Sequence, residues 1–241
     1  LQNINPYDLD ACKKYCQELP FFDQIKKDYD ELVWESNYDW TLIDSNITPR
    51  DRWAEKRVVP SRTKFSMVPF WFLKPLLDKN PKKIYDLGCG RNLFKKYIPN
   101  IIGVSPSRYD SYYDIQDHVD DDYVKGHQNY FESVFSICAL HYRPLQEFSS
   151  MVNDFVYMVA DNGTGFLSIN IERMIDCTSK TDLLEQFGTT DPSSLDLDTY
   201  IRTKLSDINV NYLIVDIDLS NLKTMGSMDG NIKIVFDKCL K

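Results

Sequence analysis

The chain has 241 residues, with 28 Lys and Arg against 36 Asp and Glu and a formal net charge of −8. Hydrophobic residues at 43% and aromatics at 13% exclude a largely disordered chain. The net acidity excludes a broad non-specific grip on a phosphate backbone, but not a local basic pocket. No apolar run approaches the roughly 18–20 residues of a membrane-spanning helix. The opening LQNINPYDLD has no basic segment followed by an apolar one, so it does not read as a secretory signal. The six cysteines, Cys12, Cys16, Cys89, Cys138, Cys177 and Cys239, contain no CxxC and no zinc-type His/Cys spacing. They are expected to be thiols in a reducing compartment, which predicts a cytoplasmic location and no metal.

Segments 7–19 and 21–35 carry apolar residues at mixed three and four spacing and predict helices, with Pro20 as the break between them. Residues 36–49 lack periodicity and predict a loop. Residues 50–64 hold six basic and two acidic residues, the one basic cluster in an acidic chain. Residues 65–78 predict a buried helix interrupted by Pro69 and Pro75. The whole of residues 1–80 is therefore expected to be an N-terminal helical cap or extension.

After Asn80-Pro81 the pattern changes, and residues 81–241 predict a second unit. KKIYDLGCG is a strand running into a glycine turn, NLFKKYI a short helix and NIIGVS a second strand. A weak strand is expected around Tyr112–Ile115 and a strong one in FESVFSICAL. PLQEFSSMVNDFVYMVA predicts a helix stopping at Asp161-Asn162-Gly163. GTGFLSINI is the next strand. Helices follow at 179–188 and 193–206, with Ser193 or Ser194 as cap. NYLIVDIDL and NIKIVFDK are two closing strands. Strands alternating with helices imply an α/β fold with a mostly parallel sheet covered on both faces. The last two strands have no helix between them and predict an antiparallel hairpin at the edge.

The most informative stretch is Ile84-Tyr85-Asp86-Leu87-Gly88-Cys89-Gly90-Arg91-Asn92. Glycines permit a tight turn and close approach of a ligand, at the carboxyl end of the first strand where open α/β sheets bind ligands. A carboxylate at Asp86 would repel a pyrophosphate and attract an α-amino group. That favours a zwitterionic amino-acid ligand over a dinucleotide, and with the terminal hairpin it speaks against a nicotinamide-dependent dehydrogenase.

These residues resemble the first motif of the class I S-adenosylmethionine (AdoMet)-dependent methyltransferases, Asp/Glu-x-Gly-x-Gly, here Asp86-Leu87-Gly88-Cys89-Gly90. The apolar strand ending in Leu140-His141 is similar to that family's fourth strand, and the terminal hairpin to the end of its seven-stranded sheet. The resemblance covers about residues 82–238. It implies AdoMet as cofactor and S-adenosylhomocysteine (SAH) as product. It implies that Gly88, Cys89 and Gly90 pass under the methionine part, that Asp86 holds the amino group, and that Cys138 to Leu140 line the pocket near the sulfonium. Asp114-Ile115 matches an acidic-apolar pair beside the adenine; a solvated acid in an acidic loop is the other reading. The family's ribose-binding acid after the second strand is absent from Gly103-Val104-Ser105-Pro106-Ser107, leaving Ser105 or Asp110 as substitutes. Asn92 stands at the third glycine of the longer fingerprint.

Methyl transfer needs alignment and desolvation, with a general base only for some acceptors. His141 is the candidate base; a helix-capping or core role is the alternative. Arg57 and Arg62 of the basic cluster have two readings, binding a cofactor or substrate carboxylate or forming a solvated, ion-paired face. No Asn/Asp-Pro-Pro-Tyr/Phe tetrapeptide follows the fourth strand, which speaks against base N-methylation. The expected acceptor is a small molecule or a substrate presented by a partner. The competing reading is a catalytically silent methyltransferase-like scaffold or activating subunit.

Overall fold

The computed structural model describes residues 76–77, 79–89, 92–96, 98–106, 113–140, 143–208, 210, 212–217 and 232–238. The helices expected at 7–19 and 21–35, the basic cluster 50–64 and nearly all of the helix expected at 65–78 lie outside these residues, as does the body of the 1–80 extension.

Among the described residues seven strands form one sheet: β1 (Ile84–Leu87), β2 (Ile101–Ser105), β3 (Ile115–Gln116), β4 (Phe131–Ile137), β5 (Val159–Ile169), β6 (Tyr212–Ile217) and β7 (Ile232–Asp237). Their order is β3-β2-β1-β4-β5-β7-β6. β1 to β5 run parallel, and β7 is antiparallel to both β5 and β6. This is the mostly parallel α/β sheet with an antiparallel C-terminal hairpin that the resemblance implied. The second hairpin strand lies inside the first, between β5 and β6.

The inner strands are buried along most of their length, with polar residues such as Asp86, Ser133 and Ser136 buried among the apolar ones, as expected where both faces are covered. Successive side chains alternate between the faces. Tyr85, Leu87, Val134, Leu167, Ile169, Ile234 and Phe236 join one core cluster. The helices α1 (Asp121–Gly126), α2 (Phe148–Met158), α3 (Ile171–Asp176) and α5 (Leu197–Ser206) contribute to the same cluster, and Phe187 of α4 (Lys180–Phe187) packs against it. The intervening positions Ile84, Asp86, Phe135, Ile137, Phe166 and Val235 are equally buried. There the 3₁₀ turn Leu93–Lys96 meets the sheet, with Phe94 edge-on to Phe135 at 5.7 Å between ring centroids.

Several local expectations shift, each for a physical reason. The helix expected after the glycine turn is a 3₁₀ turn, since Pro99 disfavours helical backbone at Ile98 and leaves room only for a short tight piece. The helix before Asp161-Asn162-Gly163 ends earlier, at Met158, and β5 starts at once. Those three residues form an irregularity inside β5, where its register with β4 shifts between Phe131 and Ser133. Asn162 has φ of 61°. A Cβ on Gly163 would lie 2.7 Å from the Ala160 carbonyl and 2.8 Å from that of Phe131, so only glycine fits. α1 and α3 were not expected; each is six residues long, with Asp120 and Asn170 as side-chain caps. α5 is capped by Asp196, not by Ser193 or Ser194, because those serines sit in a preceding 3₁₀ turn.

The amino-end side of the sheet is tied by lysines. Lys238 is 7% exposed. Its Nζ donates to the Val159 carbonyl at 2.7 Å, to the Tyr157 carbonyl at 3.4 Å and to Asn129 Oδ1. Lys79 donates to the Asn162 carbonyl at 2.6 Å and pairs with Asp237 at 2.8 Å. Replacing Lys238 by Met keeps the stem but removes the donors from buried acceptors. Lys238→Met should lower the unfolding free energy by about 2 kcal/mol in urea titrations. An unchanged midpoint would show that the ammonium does not hold these carbonyls.

Candidate functional site

β1 lies where the chain's winding reverses: β2 and β3 follow on one side of it, β4 and β5 on the other. The carboxyl ends of strands flanking such a reversal are the usual ligand position in an open parallel sheet. Asp86 pairs in register with Gly103 of β2 and Phe135 of β4, and is 0% exposed. The chain leaves β1 through Gly88 at φ 76°. The Gly88 and Cys89 amides both donate to the Val104 carbonyl, at 2.8 and 3.0 Å. Ser136 Oγ donates to the Leu87 carbonyl at 2.8 Å, holding β4 to the same turn. A Cβ on Gly88 would lie 2.2 Å from that of Ala139. Glycine is therefore required twice here, by φ and by the residue following β4.

The returning limb is held from β2 and from the approach to β3. Asn92 has φ of 51° and is 5% exposed; its amide donates to the Cys89 carbonyl at 3.0 Å. Its side-chain Nδ2 donates to Asp114 Oδ2 at 3.0 Å, and the Gly103 amide donates to the same oxygen at 2.8 Å. Lys95 Nζ pairs with Asp114 Oδ1. Burial raises the Asp114 carboxyl, but Lys95, the Gly103 amide and Asn92 together outweigh it and hold the group below its ordinary value. Asp114 is thus bonded within the protein while remaining exposed to solvent. Gly103 makes room for this arrangement, since a Cβ there would lie 2.5 Å from Asn92 Nδ2 and 2.8 Å from Cys89 Sγ.

Ser105 ends β2 and is 1% exposed. β3 is Ile115–Gln116, paired with Val104 and Ser105, so Asp114 precedes the strand. Ile115 is 40% exposed on this edge strand. The first carboxylate beyond the carboxyl end of β3 is Asp117, whose amide donates to the Ser105 carbonyl at 3.2 Å. The sequence reading missed it by placing the strand around Tyr112–Ile115. Its signal is a three-residue shift, to an acid following Ile115-Gln116. The Tyr123 phenol is raised above its ordinary pKa by burial first and by the charge of Asp117 second.

At the end of β4, Cys138 has φ of 48°, and its amide donates to the Ser168 carbonyl of β5 at 2.9 Å. Its Sγ lies 3.6 Å from Ser168 Oγ. Leu140 is partly buried against the main core cluster. Beyond β5, buried Asn170 accepts from the Arg173 amide at 3.2 Å and starts α3. Glu172, on the first turn of α3, has its carboxyl raised by burial against the lowering effect of Arg173. It is a second acid that the sequence reading passed over, because the strand expectation ran through Ile171. The described structure therefore brings Asp86, Gly88, Cys89, Ser105, Asp114 and Cys138 to one end of the sheet. Gly90, His141, Arg57 and Arg62 lie outside the described residues, as does Asp110. Among the described residues no cluster of His, Cys, Asp and Glu is arranged to hold a metal ion. No helix among them is long and apolar enough to cross a membrane.

No protein-family model and no curated protein matches this chain. Solved structures similar to it include a putative S-adenosyl-L-methionine-dependent methyltransferase from Methanococcus maripaludis, at 9% identity and a TM-score of 0.47, covering 83% of this chain and 98% of that one. A SAM-dependent methyltransferase from Archaeoglobus fulgidus is similar at 10% identity and a TM-score of 0.45, covering 73% of this chain and 94% of that one. The CurJ carbon methyltransferase is similar at 11% identity and a TM-score of 0.44, covering 74% of this chain. This chain spans about half of the CurJ chain, 54%. Likenesses at this level carry no argument for function, which has to rest on the geometry above.

Gly88→Ala should cost about 2 kcal/mol or more, from the left-handed backbone and the overlap with Ala139 together. Adding Ala139→Gly should recover part of the loss in the same denaturation assay. Parent-like stability of the single variant would refute the turn geometry.

Proposed function

We propose that the chain is an AdoMet-dependent methyltransferase acting on a small molecule, or on an acceptor presented by a partner, rather than on DNA. The observation that carries this reading is Asp86. It is a fully buried carboxylate on the strand at the reversal point, two residues ahead of a left-handed glycine. A negative charge there suits the α-amino group of an amino-acid ligand and is repulsive to a pyrophosphate.

The residues fit the cofactor at its methionine end. Asp86 would take the amino group, and Gly88 and Cys89 would present backbone without a side chain in the way. Cys138 and Leu140 would border the sulfonium. At the ribose end the fit is weaker in charge, with the Ser105 hydroxyl where a carboxylate would be stronger, and Asp117 as the nearest acid beyond β3. When bound, the cofactor supplies an activated methyl group on sulfur. The protein's part is to hold donor and acceptor in line and exclude water. His141 is the proposed base for acceptors that must lose a proton, and Arg57 and Arg62 are proposed partners of a carboxylate on cofactor or substrate. A reducing, cytoplasmic setting is part of this proposal.

One observation favours a second reading, a methyltransferase-like module without catalysis that serves a complex. β2 ends in Ser105, and the carboxylate of Asp114 is bonded to Gly103, Asn92 and Lys95.

Isothermal titration with SAH tests the binding half, because SAH cannot turn over. The full chain should bind it saturably and one-to-one. Asp86→Asn should weaken binding tenfold or more, about what losing a charge-assisted hydrogen bond costs. A thermal melt checks that the variant is folded. No binding by the folded parent overturns the cofactor assignment. Binding without release of SAH from AdoMet, across an acceptor panel, favours the silent module.

A further inference from the structure

We infer that Asp114 is a positioning residue for the glycine turn: its carboxylate latches Asn92, and through it the Cys89 carbonyl, to β2, and so shapes the backbone that receives the ligand. The inference rests on the proposed function only for the identity of that ligand.

Four hydrogen bonds and one ion pair carry it. Asp114 and Gly103 exchange backbone and side-chain bonds: the Asp114 amide donates to the Gly103 carbonyl at 2.9 Å, and the Gly103 amide donates to Asp114 Oδ2 at 2.8 Å. The same oxygen accepts from Asn92 Nδ2 at 3.0 Å, and Oδ1 pairs with Lys95 on the following 3₁₀ turn. The Asn92 amide donates to the Cys89 carbonyl at 3.0 Å, closing the limb. One carboxylate thus joins three separate stretches of chain: the limb after β1, the middle of β2 and the entry to β3. A family member with glycine at position 92 would have no side chain to offer such a latch. Here Asn92 keeps the left-handed backbone, at φ 51°, and adds an amide that reaches the acid. Asn92 is 5% exposed, so removing an acceptor from its amide is costly. Gly103 completes the fit, because any Cβ there would strike the Asn92 amide.

The position of Asp114 also separates this role from ligand contact. It stands level with Gly103, two residues short of the strand end at Ser105, and its oxygens already take donors from three residues. Asp114 acts on the ligand through Asn92 and the turn.

The test is a double-mutant cycle on the full chain, read by SAH titration well below each variant's melting temperature and by amide hydrogen exchange without ligand. Asp114→Ala and Asn92→Gly should each weaken SAH binding about tenfold, and the double variant should be little worse than either, as expected for residues acting as one unit. Asp114→Asn retains an acceptor for the Gly103 amide and should fall between parent and Asp114→Ala. Exchange at the Gly88 and Cys89 amides should quicken in Asp114→Ala. Parent-like SAH affinity in Asp114→Ala, or fully additive losses in the cycle, would overturn the inference. If the parent itself binds no SAH, the proposed function falls, and exchange still decides the latch. Unaltered protection of those two amides in Asp114→Ala would refute it whatever the turn binds.

Discussion

The carbonyl of Val104 is the constraint on which the rest of the carboxyl face depends. It accepts from both Gly88 and Cys89, so the chain leaving β1 is pinned to β2 over its first two residues. To make both bonds the backbone must turn at once into the left-handed region, which Gly88 permits. The turn then passes against Ala139 at the end of β4 so closely that no side chain fits between them. The ends of β1, β2 and β4 are thereby set relative to one another before any ligand is considered. The buried Asp86 carboxylate, one strand position below Leu87, inherits its place from this geometry.

The two ends of the sheet are built differently. On the amino-end side polar groups satisfy one another: Lys238 on carbonyls and Asn129, Lys79 on Asn162 and Asp237. Nearby, His127 stacks on Tyr123 at 3.9 Å and lies edge-on to Tyr130. Burial, and then the contact with Tyr130, push the Tyr85 phenol up to about 12, so it stays neutral and serves packing. The carboxyl end instead gathers Asp86, Ser105, Asp117, Cys138 and Asn170 around the point where the connections diverge.

Periodicity and punctuation made the sheet legible. Continuous apolar runs bounded by polar residues marked β4 and β5, and the absence of a helix between the last two strands marked the hairpin. What escaped was decided by tertiary contact. Asp161-Asn162-Gly163 has the composition of a helix stop, yet pairing with β4 and β7 carries the chain through it as a strand irregularity. α1 has two apolar residues in six, too few for a periodic signal, and forms because Asp120 caps it and Tyr123 and Val124 are buried. At the candidate site, the Asp86–Gly88 turn was legible because glycine spacing and a strand-terminal acid are local features. The network around Asp114 was not. Asn92, Gly103 and Asp114 are separated by 22 positions end to end, and their meeting depends on how β2 pairs with β1 and β3.

The residues at positions 92, 105 and 114 are best understood together. Glycine at 92 would leave the limb after β1 flexible, and an acid at 105 would sit within the reach of β3. This chain places an amide at 92, a hydroxyl at 105 and an acid at 114. The negative charge near β2 stands level with the middle of the strand, where Lys95 and the Gly103 amide compensate it. On the proposed function, a site of this kind would discriminate ligands by the shape of the amino-acid end, at Asp86 and Gly88, more than by the ribose.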